Sequence, residues 1–142
     1  MQCSICNKEI KKGHENNADP FRFHKACCDS CNDNPIVPIR MFLTGMYPSI
    51  VMKLTCDGQI STFRPGKADD SLDEMQSAVD GYIEFLPSKY LDNSLNDKFY
   101  FIVDEEGKLK GKKPNQLAYE LFNINVVGTL LIVPKDLLDR EE

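Results

Sequence analysis

The chain has 142 residues, 42% of them hydrophobic, a formal net charge of −5 and no tryptophan. That is enough apolar material for a packed core and too much for a disordered chain. No run approaches the ~20 apolar residues that span a bilayer, and MQCSICNKEIKK lacks the apolar stretch of a signal peptide, so the expectation is a cytoplasmic protein with no membrane association.

Residues 1–34 are polar and rich in cysteine, with five of the chain's six cysteines between positions 3 and 31. Too little apolar surface is available there for the segment to fold unaided, so it needs a staple. Cys3-x2-Cys6 and Cys28-x2-Cys31, separated by twenty-one residues, have the spacing of a four-thiolate zinc site. Each C-x2-C turn offers two sulfurs on one side of a tight loop, one edge of a tetrahedron. In a reducing cytosol a metal is favoured over disulfides. Cys27-x3-Cys31 is an alternative pairing, and a three-cysteine site completed by His24 another. Cys3, Cys6, Cys28 and Cys31 keep the two halves symmetric. Four thiolates leave no position for water, so such a site is structural and not catalytic.

Residues 35–48 hold three prolines, and Ile36 to Leu43 read as a linker or a short edge strand, since Pro38 forbids a central one. A second domain is expected over 49–142. Ile50 to Thr55 and Gln59 to Phe63 flank Asp57-Gly58, the signature of a hairpin. Residues 65–70 read as a polar loop. Ser71-Leu72-Asp73-Glu74 matches a capping box, with Leu72, Met75 and Val79 as the inward stripe and Gly81 as the stop. Tyr82 to Leu86 and Phe99 to Val103 follow as strands, with Lys108 to Lys110 pairing back after the turn. Pro114 and Asn115 open a second helix through Leu117, Ala118, Leu121 and Phe122. Gly128 to Val133 is a closing strand apolar enough to be central, and Leu137 and Leu138 fall on a short terminal helix. This order implies an α+β domain: a mixed, β-grasp-like sheet with two helices on one face, behind a small zinc ribbon or knuckle.

Charge separates the segments. Residues 1–45 carry six Lys/Arg against five Asp/Glu, and residues 46–142 carry eleven against seventeen. A surface of −6 does not attract a phosphate backbone, so nucleic acid is a disfavoured partner. There is no glycine-rich phosphate loop, serine elbow or HExxH, and with two histidines in all the acid–base equipment is sparse. No catalytic residue is assigned, and the chain is expected not to be an enzyme. Asp104-Glu105-Glu106 reads first as a solvated turn and only second as a metal-dependent hydrolytic centre. Glu105, Lys108, Lys110, Lys112, Lys113 and Asn115 form the candidate ligand-binding stretch, where an anion would meet a helix N-terminus. The plainer role for Asn115 is to cap that helix.

Ser71-Leu72-Asp73-Glu74-Met75-Gln76, Val79-Asp80-Gly81-Tyr82-Ile83-Glu84, Glu105-Glu106-Gly107-Lys108-Leu109, Asn115 to Ala118 and Val127-Gly128-Thr129 together resemble a family of phages, plasmids and mobile elements, domain of unknown function 3846, over about residues 50–133. Family members often carry Asn in place of Asp104 and Gly in place of Asp80. Cys27-Cys28-Asp29-Ser30-Cys31-Asn32, followed by Arg40, is similar to the zinc-ribbon leaders of small phage proteins. The resemblance implies a phage or mobile-element origin and an accessory role in the host cytoplasm. There the protein would bind a host protein or a small anionic or nucleotide ligand, counter-defence included, with oligomers allowed. A nucleic-acid-binding zinc-ribbon regulator is the alternative from another class.

Overall fold

The computed structural model describes residues 2–3, 6–17, 26–66, 68–87 and 97–138. The chain divides into two compact units, Met1–Met46 and Tyr47–Glu142.

In the first unit a tight turn runs from Cys3 to Lys8, closed by Cys3 N–H to the Lys8 carbonyl at 2.8 Å and by an isolated bridge between Gln2 and Glu9. Asn7 takes the left-handed conformation there, which Asn tolerates. Strands β1 (Asn16–Asn17) and β2 (Ala26–Cys27) pair antiparallel. Helix α1 (Asp29–Cys31) runs through a π turn at Asn32–Ile36 into α2 (Val37–Leu43). The expected linker or edge strand at 35–48 is therefore corrected to a helix as far as Leu43. Pro38 stands at the start of α2, directly after the π turn, and its fixed φ suits the helical backbone. The wider π turn, closed by Val37 N–H to the Asn32 carbonyl, takes in Pro35, which has no N–H to give an α ladder. Ile36, Ile39 and Phe42 are buried.

In the second unit β3 (Val51–Leu54) and β4 (Ile60–Phe63) form the expected hairpin. Gly58 supplies the positive φ of its turn. Helix α3 (Ala68–Val79) crosses the sheet, followed by β5 (Ile83–Phe85) and β6 (Phe99–Asp104). Helix α4 (Gln116–Phe122) then precedes β7 (Leu130–Pro134) and the short α5 (Lys135–Leu138). The strand order is β4-β3-β7-β6-β5, and every neighbouring pair is antiparallel. The α+β class stands. The mixed, β-grasp-like sheet does not, because α3 carries the chain from one edge strand to the other and no parallel neighbours arise.

Side chains alternate across the sheet. Val51, Ile102, Leu131 and Val133 pack with Met75 and Val79 of α3, and Leu137 and Leu138 of α5 pack against the same cluster. Phe101 faces the other way and meets Phe122 of α4, ring centroids 5.0 Å apart. The two main helices thus lie on opposite faces, not on one. β7 is central and wholly buried, as its unbroken apolar run predicts.

Three local expectations shift. Helix α3 begins at Ala68, a strong helix former, and not at Ser71. The Glu74 carboxylate reaches back to the Gly66 N–H (3.0 Å), and Leu72 is exposed. Lys108 to Lys110 lie in a coiled run of turns and do not pair as a strand.

Candidate functional site

Two sites stand out, one in each unit.

In the first unit the thiol sulfurs of Cys3, Cys6, Cys28 and Cys31 all lie within 4.8 Å of one another, the group of metal-ligating side chains found among the described residues. Cys6 Sγ and Cys28 Sγ are 3.7 Å apart. A tetrahedral site with metal–sulfur bonds of ~2.3 Å has sulfur–sulfur edges of ~3.8 Å, so the cluster has the dimensions such an ion requires. The first pair sits on the tight turn. The second pair departs from the symmetric ribbon reading: Cys28 is the N-cap of α1 and Cys31 its third residue. Three residues along a helix bring both sulfurs to one face, beside the positive end of the helix. Backbone N–H groups of Cys6 (3.5 Å) and Cys28 (3.4 Å) point at Cys3 Sγ, the donors that settle a thiolate. Burial, and then the thiols of Cys28, Cys6 and Cys3, push the Cys31 pKa strongly upward. Four thiols this close ionise together only around a cation.

Cys27 is buried on β2 and is not among the four clustered sulfurs; burial first, and then Cys3 and Cys28, raise its pKa. His24 lies outside the described residues. Asp29 accepts from Asn16 Nδ2 (3.0 Å) and pairs with His14 Nδ1 (2.8 Å), and these contacts, in that order, hold its carboxyl below the ordinary range. Asn16 also donates to the Cys27 carbonyl (3.2 Å), tying the hairpin to the start of α1. The sequence reading missed this His14–Asn16–Asp29 brace, which joins residues up to fifteen positions apart.

In the second unit the lysine-rich stretch divides. Lys110 and Lys112 turn inward. Their Nζ atoms lie 2.9 and 2.6 Å from Asp104 Oδ2, and the Asp104 side chain is 1% exposed. Lys112 Nζ also donates to the Val79 carbonyl (2.6 Å) and Lys110 Nζ to that of Asp80 (2.8 Å), so both cap the C-terminus of α3. Burial pushes the Asp104 pKa up, but the Lys112 ammonium, the Glu106 N–H and the Lys110 ammonium outweigh it and bring it down to about 2. Gly81 is required beside this pair, because a Cβ there would sit 2.7 Å from Lys110 Nζ and inside the Asp104 carboxylate. Asn115 is buried and fully used. It accepts from Ala118 N–H (3.0 Å) as the cap of α4, and its Nδ2 donates to the Leu54 and Gly128 carbonyls, both at 2.9 Å.

Glu105, Lys108 and Lys113 are exposed. Glu105 and Lys108 line a cavity of about 510 Å3 between β5, the turn after β6 and the loop that follows α4. Leu86, Val103, Ile124 and Val127 line it with apolar surface, and Glu84 of β5 adds a second exposed carboxylate. The sequence reading missed Glu84 and the whole 123–127 wall. Their signal was only an exposed carboxylate on a short strand and the left-handed Asn123 that ends α4.

No helix among the described residues is long and apolar enough to cross a membrane. A family model described as a domain of unknown function (DUF3846) matches residues 54–139. No curated protein and no solved structure matches.

Proposed function

The chain belongs to the DUF3846 family, and we propose that it is a non-enzymatic binding protein whose cavity beside β5 receives part of a partner protein, while a zinc ion staples its first unit. The cavity carries this reading. It is a concave recess in which apolar side chains stand together with Glu84, Glu105 and Lys108, the mix of apolar wall and placed polar groups usual in a recognition site.

Four clustered thiols favour zinc, and a closed four-sulfur shell gives it a structural role. A small anionic ligand is the weaker occupant, because Lys110 and Lys112 are engaged with Asp104 and with helix carbonyls. The same pairing argues against a hydrolytic centre at Asp104-Glu105-Glu106, since a carboxylate held by two ammonium groups is a poor metal ligand or base. The net charge of −6 over residues 46–142, the difference of eleven basic and seventeen acidic residues, disfavours nucleic acid. The resemblance to phage and mobile-element proteins supports a host protein as the partner, in the host cytoplasm.

Native mass spectrometry of the full chain expressed in a bacterial host tests the reading, alongside Asn125→Trp, which fills the recess from an exposed lining position. The expected result is one zinc per chain and a stoichiometric protein partner lost in Asn125→Trp. A partner retained by that variant, or hydrolysis of a substrate that Glu106→Gln abolishes, overturns it.

A further inference from the structure

The cavity opens beside an edge strand whose backbone faces outward. Tyr82 and Leu86 bond to β6: Glu105 N–H donates to the Tyr82 carbonyl (2.8 Å) and Leu86 N–H to the Phe101 carbonyl (2.8 Å). In an antiparallel ladder bonded positions alternate, so Glu84 bonds to Val103 as well. The N–H and C=O groups of Ile83 and Phe85 therefore turn away from β6, toward the side of β5 on which no described strand lies. Exposed edges of this kind are templates for a further strand, and soluble proteins usually blunt them. β5 instead presents Phe85 at 49% exposure.

The two faces of that edge differ in chemistry. Phe85 packs edge-on to Tyr100, ring centroids 5.2 Å apart, leaving an aromatic step on one face. Glu84 shares the opposite face with its partner Val103, and both line the cavity with Glu105. A strand laid against β5 would send alternate side chains to the two faces. Those on the cavity side meet the Glu84 and Glu105 carboxylates, with Lys108 in the same lining, and the apolar side chains of Leu86, Val103, Ile124 and Val127.

Resting on the cavity reading above, we propose that the partner docks as an extended peptide segment which pairs with β5 as a sixth strand. It places lysine or arginine residues against Glu84 and Glu105 and an apolar residue in the recess, and its opposite face packs on Phe85. Charge complementarity selects this occupant: Glu84 and Glu105 outnumber Lys108 in the lining, in a unit of net negative charge, so a basic segment is rewarded and an acidic one repelled.

The test is selection of a randomised octapeptide library on the zinc-loaded full chain, followed by fluorescence anisotropy of the enriched peptides. Peptides alternating basic and apolar residues are expected. Glu84→Lys combined with Glu105→Lys should weaken them at least tenfold. Phe85→Pro should also abolish binding, while Phe85→Ala weakens it less. The outward N–H of position 85 makes no bond to β6, so proline is tolerated in the fold and fatal only to the added strand. Selection of acidic peptides, failure to enrich any peptide, or equal binding by Phe85→Pro and Phe85→Ala overturns strand addition. Slow hydrogen exchange of the Ile83 and Phe85 amides in the free protein, which means the edge is already covered, overturns it too. Peptides that bind in spite of Phe85→Pro but are lost in Asn125→Trp overturn strand addition and keep the cavity. Peptides indifferent to Asn125→Trp overturn the cavity itself.

Discussion

The two units solve the problem of a small core in opposite ways. The described residues of the first unit offer two-residue strands, a helix interrupted by a π turn and a few buried apolar side chains. Their four thiols converge on a point, where the proposed zinc would substitute for core volume. Residues 47–138 have a five-stranded sheet with apolar side chains on both faces, helices packed against each, and a central strand with no exposure. Polar groups in the second unit, Asp104 and Asn115 above all, serve to fasten loops onto a core that already exists. The same residue types mean different things in the two settings. A buried charged group is a hub in one, and a set of ionisable thiols is the core of the other.

The sharpest way to break that comparison is to remove the zinc proposed for the four thiols. Apparent zinc affinities of small thiolate sites are on the order of 10 kcal/mol, more than a segment of this size gains from its apolar contacts. Chelation with EDTA, or Cys31→Ser, is expected to collapse the amide spectrum of residues 2–46 while the sheet signals of residues 47–138 persist. Two-dimensional NMR reads both at once. Survival of the β1–β2 signals in the chelated protein would mean that the first unit has a core of its own and the contrast is false.

Legibility in the sequence follows the same division. The thiol set was readable because each pair is local and its spacing is dictated by one turn. The hairpin at Asp57-Gly58 and the central β7 were readable for like reasons, turn chemistry in one and an unbroken apolar run in the other. The helix at 36–43 was not, because Pro38 excludes a central strand and equally suits a helix's first turn. Sheet direction was not readable either, since pairing order is set by which edge α3 delivers the chain to. The lysines misled for a further reason. Lys112 is tied to Val79, 33 positions away, and Asn115 to Leu54, 61 positions away. A window along the chain sees a basic stretch beside a helix start, and only the folded chain shows that Lys110, Lys112 and Asn115 are occupied.

A smaller effect sharpens the role of Asp104. Its pKa is lowered to about 2 from 3.8. A depressed carboxylate stabilises the fold above its unfolded pKa, and that contribution disappears as pH falls through the folded value. The shift corresponds to about 2 kcal/mol, present at pH 7, declining below pH ~4 and gone near pH 2. Urea midpoints of the wild type and Asp104→Asn should therefore differ at neutral pH, with the wild type more stable, and converge in acid. The variant leaves two ammonium groups facing an amide, so its deficit at pH 7 should be at least this large. Parallel curves for the two proteins would show that the Asp104 charge does not fasten the lysines to the end of α3.

The smallest expected effect lies one residue past the end of α3. Asp80 has φ +58°, the left-handed conformation, and Gly81 N–H reaches back to the Gln76 carbonyl at 3.0 Å. That bond, five residues back, is the Schellman closure of a helix, and glycine is the residue suited to the left-handed position. The Asp80 side chain is strained there and its charge opposes the negative helix end. Against this, its charge attracts Lys110, whose pKa is raised first by Asp104 and in lesser part by Asp80. The contacts that anchor the lysines use the Asp80 carbonyl, which glycine keeps. Asp80→Gly is thus expected to raise stability by about 0.5–1 kcal/mol, read as a higher urea midpoint with an unchanged slope. A loss would assign the Asp80 carboxylate, and not its backbone, to the lysine hub. The hub would then be a four-charge network and not a buried aspartate holding two lysines.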